Sequence, residues 1–194
     1  MIEEILKLDS DLFLYFNNLG NPYFDNFWMF LSKTEANVIV YLLVLIAYIY
    51  SINNKKRAKT LFLLIIAIAI LITISDQTSN LFKNYFERLR PCHDEQIFNF
   101  MRLVKNSCGG LYSFFSAHAS NSFALASFFF FVYYKIIERK IIIFFILASL
   151  VSYSRVYIGV HYPLDIIMGA FFGFTTGFIL FKIWEIRFKK NNFF

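Results

Sequence analysis

Charge is scarce in this sequence. Asp, Glu, Lys and Arg make up 16% of the 194 residues, against 58% hydrophobic and 21% aromatic residues. That balance lies far from a soluble average, and too little polar surface remains to cover a fold bathed in water. Glycine and proline are also few, seven and three, so no linker or low-complexity segment divides the chain, and no internal repeat is visible. Residues 1–194 read as a single domain. The N-terminus lacks the basic stretch that opens a cleavable signal peptide, with Glu3 and Glu4 standing in its place. Only two cysteines occur, Cys92 and Cys108, and with His93 the one nearby imidazole they are too few for zinc. Two readings of the pair stay open. One is a disulfide in an oxidising compartment, with a chain-entropy stabilisation of roughly 3 kcal/mol, and the other is two unrelated buried thiols.

What the sequence has in abundance is apolar runs. Five stretches, 36–52, 60–82, 112–134, 141–157 and 164–184, approach the roughly 20 residues that span a bilayer core. The expected fold is all-α, a polytopic membrane helix bundle of about five transmembrane helices. Residues 1–35 behave differently, mixing acids with Ile, Leu and Phe at three-to-four-residue spacing. They predict an amphipathic helix ending near Gly20 and then a short aromatic helix, together forming an interfacial region that lies on the membrane. Residues 36–184 form the transmembrane core, and 185–194 a basic tail.

An odd number of spans puts the two termini on opposite sides of the membrane. Of the nineteen Lys and Arg, eleven fall on one side, within 55–59, 135–140 and from Lys182 onward, and eight on the other. The positive-inside rule makes the first set cytoplasmic, which sends the C-terminus inside and the 83–118 loop, with both cysteines, outside. The expected location is a cell membrane, with the N-terminus and this loop on its outer side.

On this topology Lys83, Arg90, His118, Arg155, His161 and Asp165 gather near the outer ends of the second to fifth spans, although they come from three separate stretches. Charged groups near a bilayer cost several kcal/mol unless they are paired, wet or bound, so a group of them at one depth points to function. Lys83, Arg90 and Arg155 offer a dense set of donors for a tetrahedral oxyanion, the arginines as forks. A helix beginning near Ser116 adds free N–H groups and its positive dipole end. His161 and Asp165 are four apart, with Pro163 suited to a first helical turn, so the carboxylate can hold the imidazole in one tautomer, as for a nucleophile or base. One carboxylate among three cations would repel a divalent ion, which argues for chemistry without a metal. Snorkelling at the interface accounts for Arg88, Arg102 and Lys105. Asp76, two turns before Lys83, reads as structural, through an ion pair or a helix–helix hydrogen bond. His93 reads as a solvated loop residue, and Tyr112, Tyr153, Tyr157 and Tyr162 as an interfacial aromatic belt.

Three stretches, KNYFERLRP at 83–91, FSAH at 115–118 and SRVYIGVHYPLD at 154–165, resemble in order and spacing the signature motifs of the type 2 phosphatidic acid phosphatase (PAP2) superfamily. The resemblance covers roughly residues 60–185. It implies that His161 attacks phosphorus and forms a phosphohistidine, that Asp165 orients it, and that His118 protonates the leaving oxygen and then activates water. Lys83, Arg90, Arg155, Ser116 and the backbone N–H of Ala117 would hold the phosphoryl oxygens. No cofactor is implied, and the partners are the bilayer and a lipid phosphate, with no nucleic acid and no protein partner. The implied location is the inner (cytoplasmic) membrane of a bacterium, with the site facing the periplasm and the C-terminus in the cytoplasm. The family's middle motif usually reads Pro-Ser-Gly-His, so Phe115 and Ala117 depart from it, putting a ring near the pocket and a methyl where glycine's freedom is otherwise available.

The expected function is a metal-independent membrane lipid phosphatase acting on undecaprenyl pyrophosphate, phosphatidylglycerol phosphate, phosphatidic acid or a lipid A phosphate. A lipid-to-lipid phosphotransferase and a non-catalytic binder or transporter of anionic lipids are the alternatives.

Overall fold

The structure, a computed structural model, describes residues 2–33, 41–42, 44–46, 50, 57–137 and 142–189. Among these the protein is helical, with a single isolated bridge, Leu89 to Tyr112, outside the helices. The interfacial region forms α1 (Ile2–Asn18) and α2 (Pro22–Leu31). Asn21 starts α2 by accepting a hydrogen bond from the Tyr23 N–H, and Pro22, which has no N–H to satisfy, occupies the first turn. The long α3 (Arg57–Phe86) contains neither Gly nor Pro, and it stops where Glu87 takes a left-handed φ of 48°. After a 3₁₀ turn (Pro91–His93) and the short α4 (Glu95–Phe98) come α5 (Ala117–Ile137), α6 (Ile143–Tyr157) and α7 (Pro163–Lys189).

Among the described residues two segments, Ala58–Phe86 and Pro163–Arg187, are long and apolar enough to cross a membrane, and α6 is shorter but apolar. The expected span at 36–52 lies largely outside the described residues; within it Tyr41, Leu42, Val44, Leu45, Ile46 and Tyr50 have helical backbone. The basic clusters at 55–56 and 139–140 and the tail beyond Lys189 also lie outside them.

The bundle is tightest between α5 and α7. Gly169, Gly173 and Gly177 recur every four residues on α7 and face the backbone oxygens of Ser116, Ser120 and Ala124. A methyl group at Gly169 would stand 2.6 Å from the Ser116 oxygen, so only glycine permits this approach. Hydroxyls complete the seam that α5 makes with its neighbours. Ser75 and Ser120 bond across α3 and α5 at 2.5 Å, Ser79 donates to the Phe115 carbonyl at 2.8 Å, and Ser127 donates to that of Phe174 at 3.0 Å. Toward the far end Leu64, Leu71, Phe128, Phe129, Phe144, Phe181 and Trp184 form an apolar core. The C-terminal end of α3, the start of α5, the end of α6 and the start of α7 therefore meet at one end of the bundle.

α1 is amphipathic in an unexpected sense. Asp9, Phe13 and Asn17, one per turn, are buried against the protein, whereas Ile5, Leu8, Leu12 and Tyr15 are exposed. The inward face thus carries a carboxylate and an amide at either end of a phenyl ring. Asn17 secures its end of the helix by donating to the carbonyls of Val156 and Tyr157, at 3.1 and 2.9 Å, and by accepting from the Arg102 N–H at 2.7 Å.

Candidate phosphoryl-transfer site

His161 stands in the turn between α6 and α7. Gly159 makes this turn at φ 87°, where a side chain would press within 2.7 Å of the Arg102 carbonyl oxygen. Pro163 then opens α7. Asp165, two residues further on, reaches back to accept the Tyr162 N–H at 2.9 Å, which is half of a capping box. The same carboxylate oxygen faces Nδ1 of His161 at 3.3 Å. The spacing of four residues sets the carboxylate beside the ring, although His161 itself precedes the helix and the contact is made by Asp165 folding back over its start. Both side chains are almost fully enclosed, His161 at 2% and Asp165 at 0% exposure. Burial first, and then the Arg155, Arg90 and Lys83 cations, hold the imidazole well below its ordinary pKa. The ring is consequently neutral at neutral pH.

The expected cations assemble around it. Arg90 follows the end of α3 and is clamped by its own loop, its Nε donating to the Tyr112 carbonyl at 3.2 Å and its Nη1 to that of Cys108 at 2.8 Å. Arg155, buried in the last turn of α6, bonds through Nη1 to the hydroxyl of Ser32, while its Nε is buried with no hydrogen-bond partner among the described residues. Lys83 lies within electrostatic reach of Arg90, Arg155, Asp76 and Asp165, and His118 within reach of Arg155, His161 and Lys83. Four charged or titratable groups from α3, α5 and α6 and the loop after α3 therefore converge on the His161–Asp165 pair. Ser116 precedes α5, where its hydroxyl oxygen accepts from the Ala119 N–H at 3.4 Å, and its own N–H donates to the Asp165 carbonyl at 3.0 Å. Ala117 is the first helical residue, and its φ is not positive, so glycine's freedom is not required there.

Several residues stand elsewhere than the sequence suggested. Arg88 is not a snorkelling side chain. It is 17% exposed and pairs with Asp165 at 3.1 Å and with Asp9 at 2.6 Å. Arg102 likewise pairs with Asp25 at 3.0 Å. Lys105 lies within electrostatic reach of Arg90 and Arg155, and burial and those two cations push its pKa down. Tyr157 and Tyr162 are buried, not arrayed along an interface: the Tyr157 hydroxyl bonds to Asp25 at 2.7 Å, and the Tyr162 ring lies 3.9 Å beneath the Arg88 guanidinium. Phe115 packs among Phe82, Phe114 and Phe172 and does not line the cavity beside His118. Asp76 accepts a hydrogen bond from Asn121 at 2.8 Å, so the helix–helix bond is the structural role it plays. His93 is exposed.

Asp9, Arg88 and Ser32 were missed as members of this neighbourhood. The one local signal for Asp9 was its place with Asn17 on a single face of α1, two polar residues eight apart where apolar ones would be expected to face the core. Nothing local distinguished Arg88 from its neighbours.

A cavity of about 430 Å³ opens beside the site between α3, α5 and the helical residues Tyr41, Leu42 and Leu45. Its walls are mostly aliphatic, with Leu42, Leu45, Ile68, Ile72 and Leu125, and its polar end holds His118, Asp76 and Asn121. Such a cleft fits an apolar chain whose polar end meets His118. Among the described residues no three His, Cys, Asp or Glu side chains gather as a metal site would need.

Cys92 and Cys108 are joined in a disulfide. The bridge stands two residues after Arg90 and contributes, through the Cys108 carbonyl, one of the acceptors that hold its guanidinium. Reduction is therefore expected to lower stability by up to about 3 kcal/mol and to raise KM for a phosphorylated substrate. Thermal melts and steady-state kinetics with and without a phosphine reductant check this, and an unchanged KM would show that the loop holds Arg90 without the bridge.

Comparison with known proteins agrees with the motifs. The family model of the PAP2 superfamily matches residues 58–189. A lipid A 4'-phosphatase of Porphyromonas gingivalis is 32% identical over 184 residues, which cover 94% of this chain and 75% of that protein. A lipid A 4'-phosphatase of Bacteroides thetaiotaomicron is 32% identical over 186 residues, covering 94% of this chain and 80% of that protein. Among solved structures, a transmembrane PAP2-type phosphatidylglycerolphosphate phosphatase from Bacillus subtilis superposes with a TM-score of 0.65 at 19% identity, covering 96% of this chain and 87% of that one.

Proposed function

The chain belongs to the PAP2 superfamily and is a membrane lipid phosphatase, and from that premise we propose that it removes a phosphate from lipid A through a phosphohistidine formed on His161. The observation that carries the mechanism is the buried His161–Asp165 pair set among Lys83, Arg90 and Arg155. The relatives in Porphyromonas and Bacteroides support lipid A as the substrate over other lipid phosphates.

In the first step the three cations bind the phosphoryl oxygens, joined by the start of α5 with Ser116 and the Ala117 N–H. Asp165 accepts the Nδ1–H of His161, which leaves the lone pair on Nε2 free to attack phosphorus. As the N–P bond forms, the bond to the leaving sugar oxygen breaks, and His118 supplies its proton. The cations offset the charge on the equatorial oxygens, and Asp165 offsets the positive charge on the imidazole. In the second step His118 takes a proton from water, the water oxygen attacks phosphorus, and phosphate leaves with His161 restored. The acyl chains rest in the aliphatic cleft beside His118.

The pocket faces the periplasm from the inner membrane, with the C-terminus in the cytoplasm. The excess of Lys and Arg on the opposite side of the predicted topology supports this orientation, as does a disulfide in the loop, which suits an oxidising compartment.

Phosphate release by the purified protein in detergent tests this reading, with lipid A, phosphatidic acid, phosphatidylglycerol phosphate and undecaprenyl pyrophosphate compared in the presence of EDTA. Lipid A is expected to turn over with the highest kcat/KM, with loss of the 4'-phosphate by mass spectrometry and no effect of the chelator. Faster release from another lipid would overturn the substrate, and inhibition by EDTA would overturn the metal-free mechanism.

A further inference from the structure

The family match begins at residue 58, yet one side chain of α1 reaches the candidate site. Asp9 is 4% exposed, and its two oxygens serve two different partners. Oδ1 accepts the backbone N–H of Leu164 at 2.8 Å, in the first turn of α7, and Oδ2 accepts from Nη2 of Arg88 at 2.6 Å. Nη1 of Arg88 donates in turn to Oδ1 of Asp165 at 3.1 Å, whose other oxygen faces His161. The guanidinium carbon lies 3.9 Å from the centre of the Tyr162 ring, whose hydroxyl donates to Asp94 at 3.1 Å, while Phe13 meets the ring edge to face.

Resting on a membrane asks nothing of the kind from a helix. An interfacial amphipathic helix buries its apolar face in lipid, and a carboxylate buried on the opposite face carries a desolvation penalty that must be offset by its partners. The partners here are specific to the site. We propose that Asp9 is a positioning residue for phosphoryl transfer: through Arg88 it fixes the carboxylate of Asp165, and thereby the imidazole of His161. This rests on the reading of His161 as the nucleophile.

The physical reason is the rigidity of the arginine fork. A guanidinium held at one nitrogen only can rotate, and beside a lone carboxylate it tends toward a bidentate pair that engages both oxygens. Such a pair would draw Oδ2 of Asp165 away from His161 and from the Tyr162 N–H. With Asp9 drawing Nη2 to its own carboxylate, Asp165 is engaged by Nη1 alone, and its Oδ2 stays with the ring. α1 is thereby tied to the reacting end of the bundle, with its apolar face turned outward.

The test uses the full-length protein in detergent with the lipid phosphate that the wild type turns over best. Asp9→Asn retains an oxygen to accept the Leu164 N–H but loses the charge that holds Arg88, so it separates the cap from the ion pair. The expected result is a kcat about tenfold lower with KM within about twofold of wild type and a thermal midpoint nearly unchanged. Asp9→Glu, which keeps the charge, is expected to recover most of the loss. In an Arg88→Lys background the Asn substitution should cost less than it does alone, because the two residues act through one contact. Wild-type kcat in Asp9→Asn, a loss confined to KM, or equal losses in the Asn and Glu variants would each overturn the assignment. His161→Ala is measured alongside. If it is inert while Asp9→Asn is fully active, the role of Asp9 alone falls; if it retains wild-type turnover, the His161 mechanism falls and takes the Asp9 role with it.

Discussion

His161→Ala is expected to abolish turnover, with kcat at least about 10⁴-fold below wild type, the scale of loss seen when a covalent nucleophile is removed and only binding and charge stabilisation remain. The reason lies in what the substitution leaves behind. Asp165 keeps the Tyr162 N–H and Arg88, so the start of α7 remains capped and the cations stay in place. The protein should therefore still bind the lipid with a similar KM while having no group to accept phosphorus. Incubation with substrate labelled at the phosphoryl group, followed by quenching in alkali, where phosphohistidine persists, should trap label on the wild type and none on the variant. Undiminished phosphate release by the variant would sink the covalent mechanism.

Asp165→Asn should be nearly as damaging, with kcat lower by roughly 10³- to 10⁴-fold. The amide can still offer an oxygen to the Tyr162 N–H. Its NH₂ group, however, would then be directed elsewhere, toward Nδ1 of His161 or toward Arg88. A donor facing Nδ1 makes that nitrogen an acceptor and moves the ring proton to Nε2, the atom that has to attack. Loss of the charge also removes the partner that balances the imidazolium as the N–P bond forms, and leaves Arg88 with Asp9 alone. KM should change little, because Lys83, Arg90 and Arg155 are intact. Steady-state kinetics across pH values would check this, and a variant within tenfold of wild-type kcat would show that Asp165 does not set the tautomer.

These two expectations rest on the part of the site that short-range chemistry makes readable. His161 and Asp165 are four residues apart across a helix start, so once Pro163 is placed in the first turn the carboxylate folds back over the N-cap to the ring. Lys83 and Arg90 flank the end of a long apolar run, a position that a span boundary identifies without tertiary information. The bridge between Cys92 and Cys108 was one of two open readings, settled only when Leu89 and Tyr112 were seen to bring the two ends of the loop side by side.

Arg88 shows where that kind of reasoning stops. It sits between Lys83 and Arg90 in the same short stretch, and by charge and neighbourhood it was indistinguishable from a side chain reaching for water. Its partners are 79 and 77 residues away in sequence, and no periodicity links positions so far apart. Phe115 illustrates the same limit in the other direction. The sequence puts a ring near the pocket without saying which way it turns, and helix packing directs it toward Phe82 and Phe172.

By itself, then, the sequence determined the solvent in which this chain folds, the order of its helices around three motifs, and the residue types proposed to meet phosphate, because hydropathy, helical period and charge act over a few residues. Tertiary structure decided which carboxylate holds which cation. A buried ion pair forms only where packing brings two distant groups within about 3 Å and excludes water from both. Here the close approach of α5 to the glycines of α7, together with the inward polar face of α1, sets that arrangement.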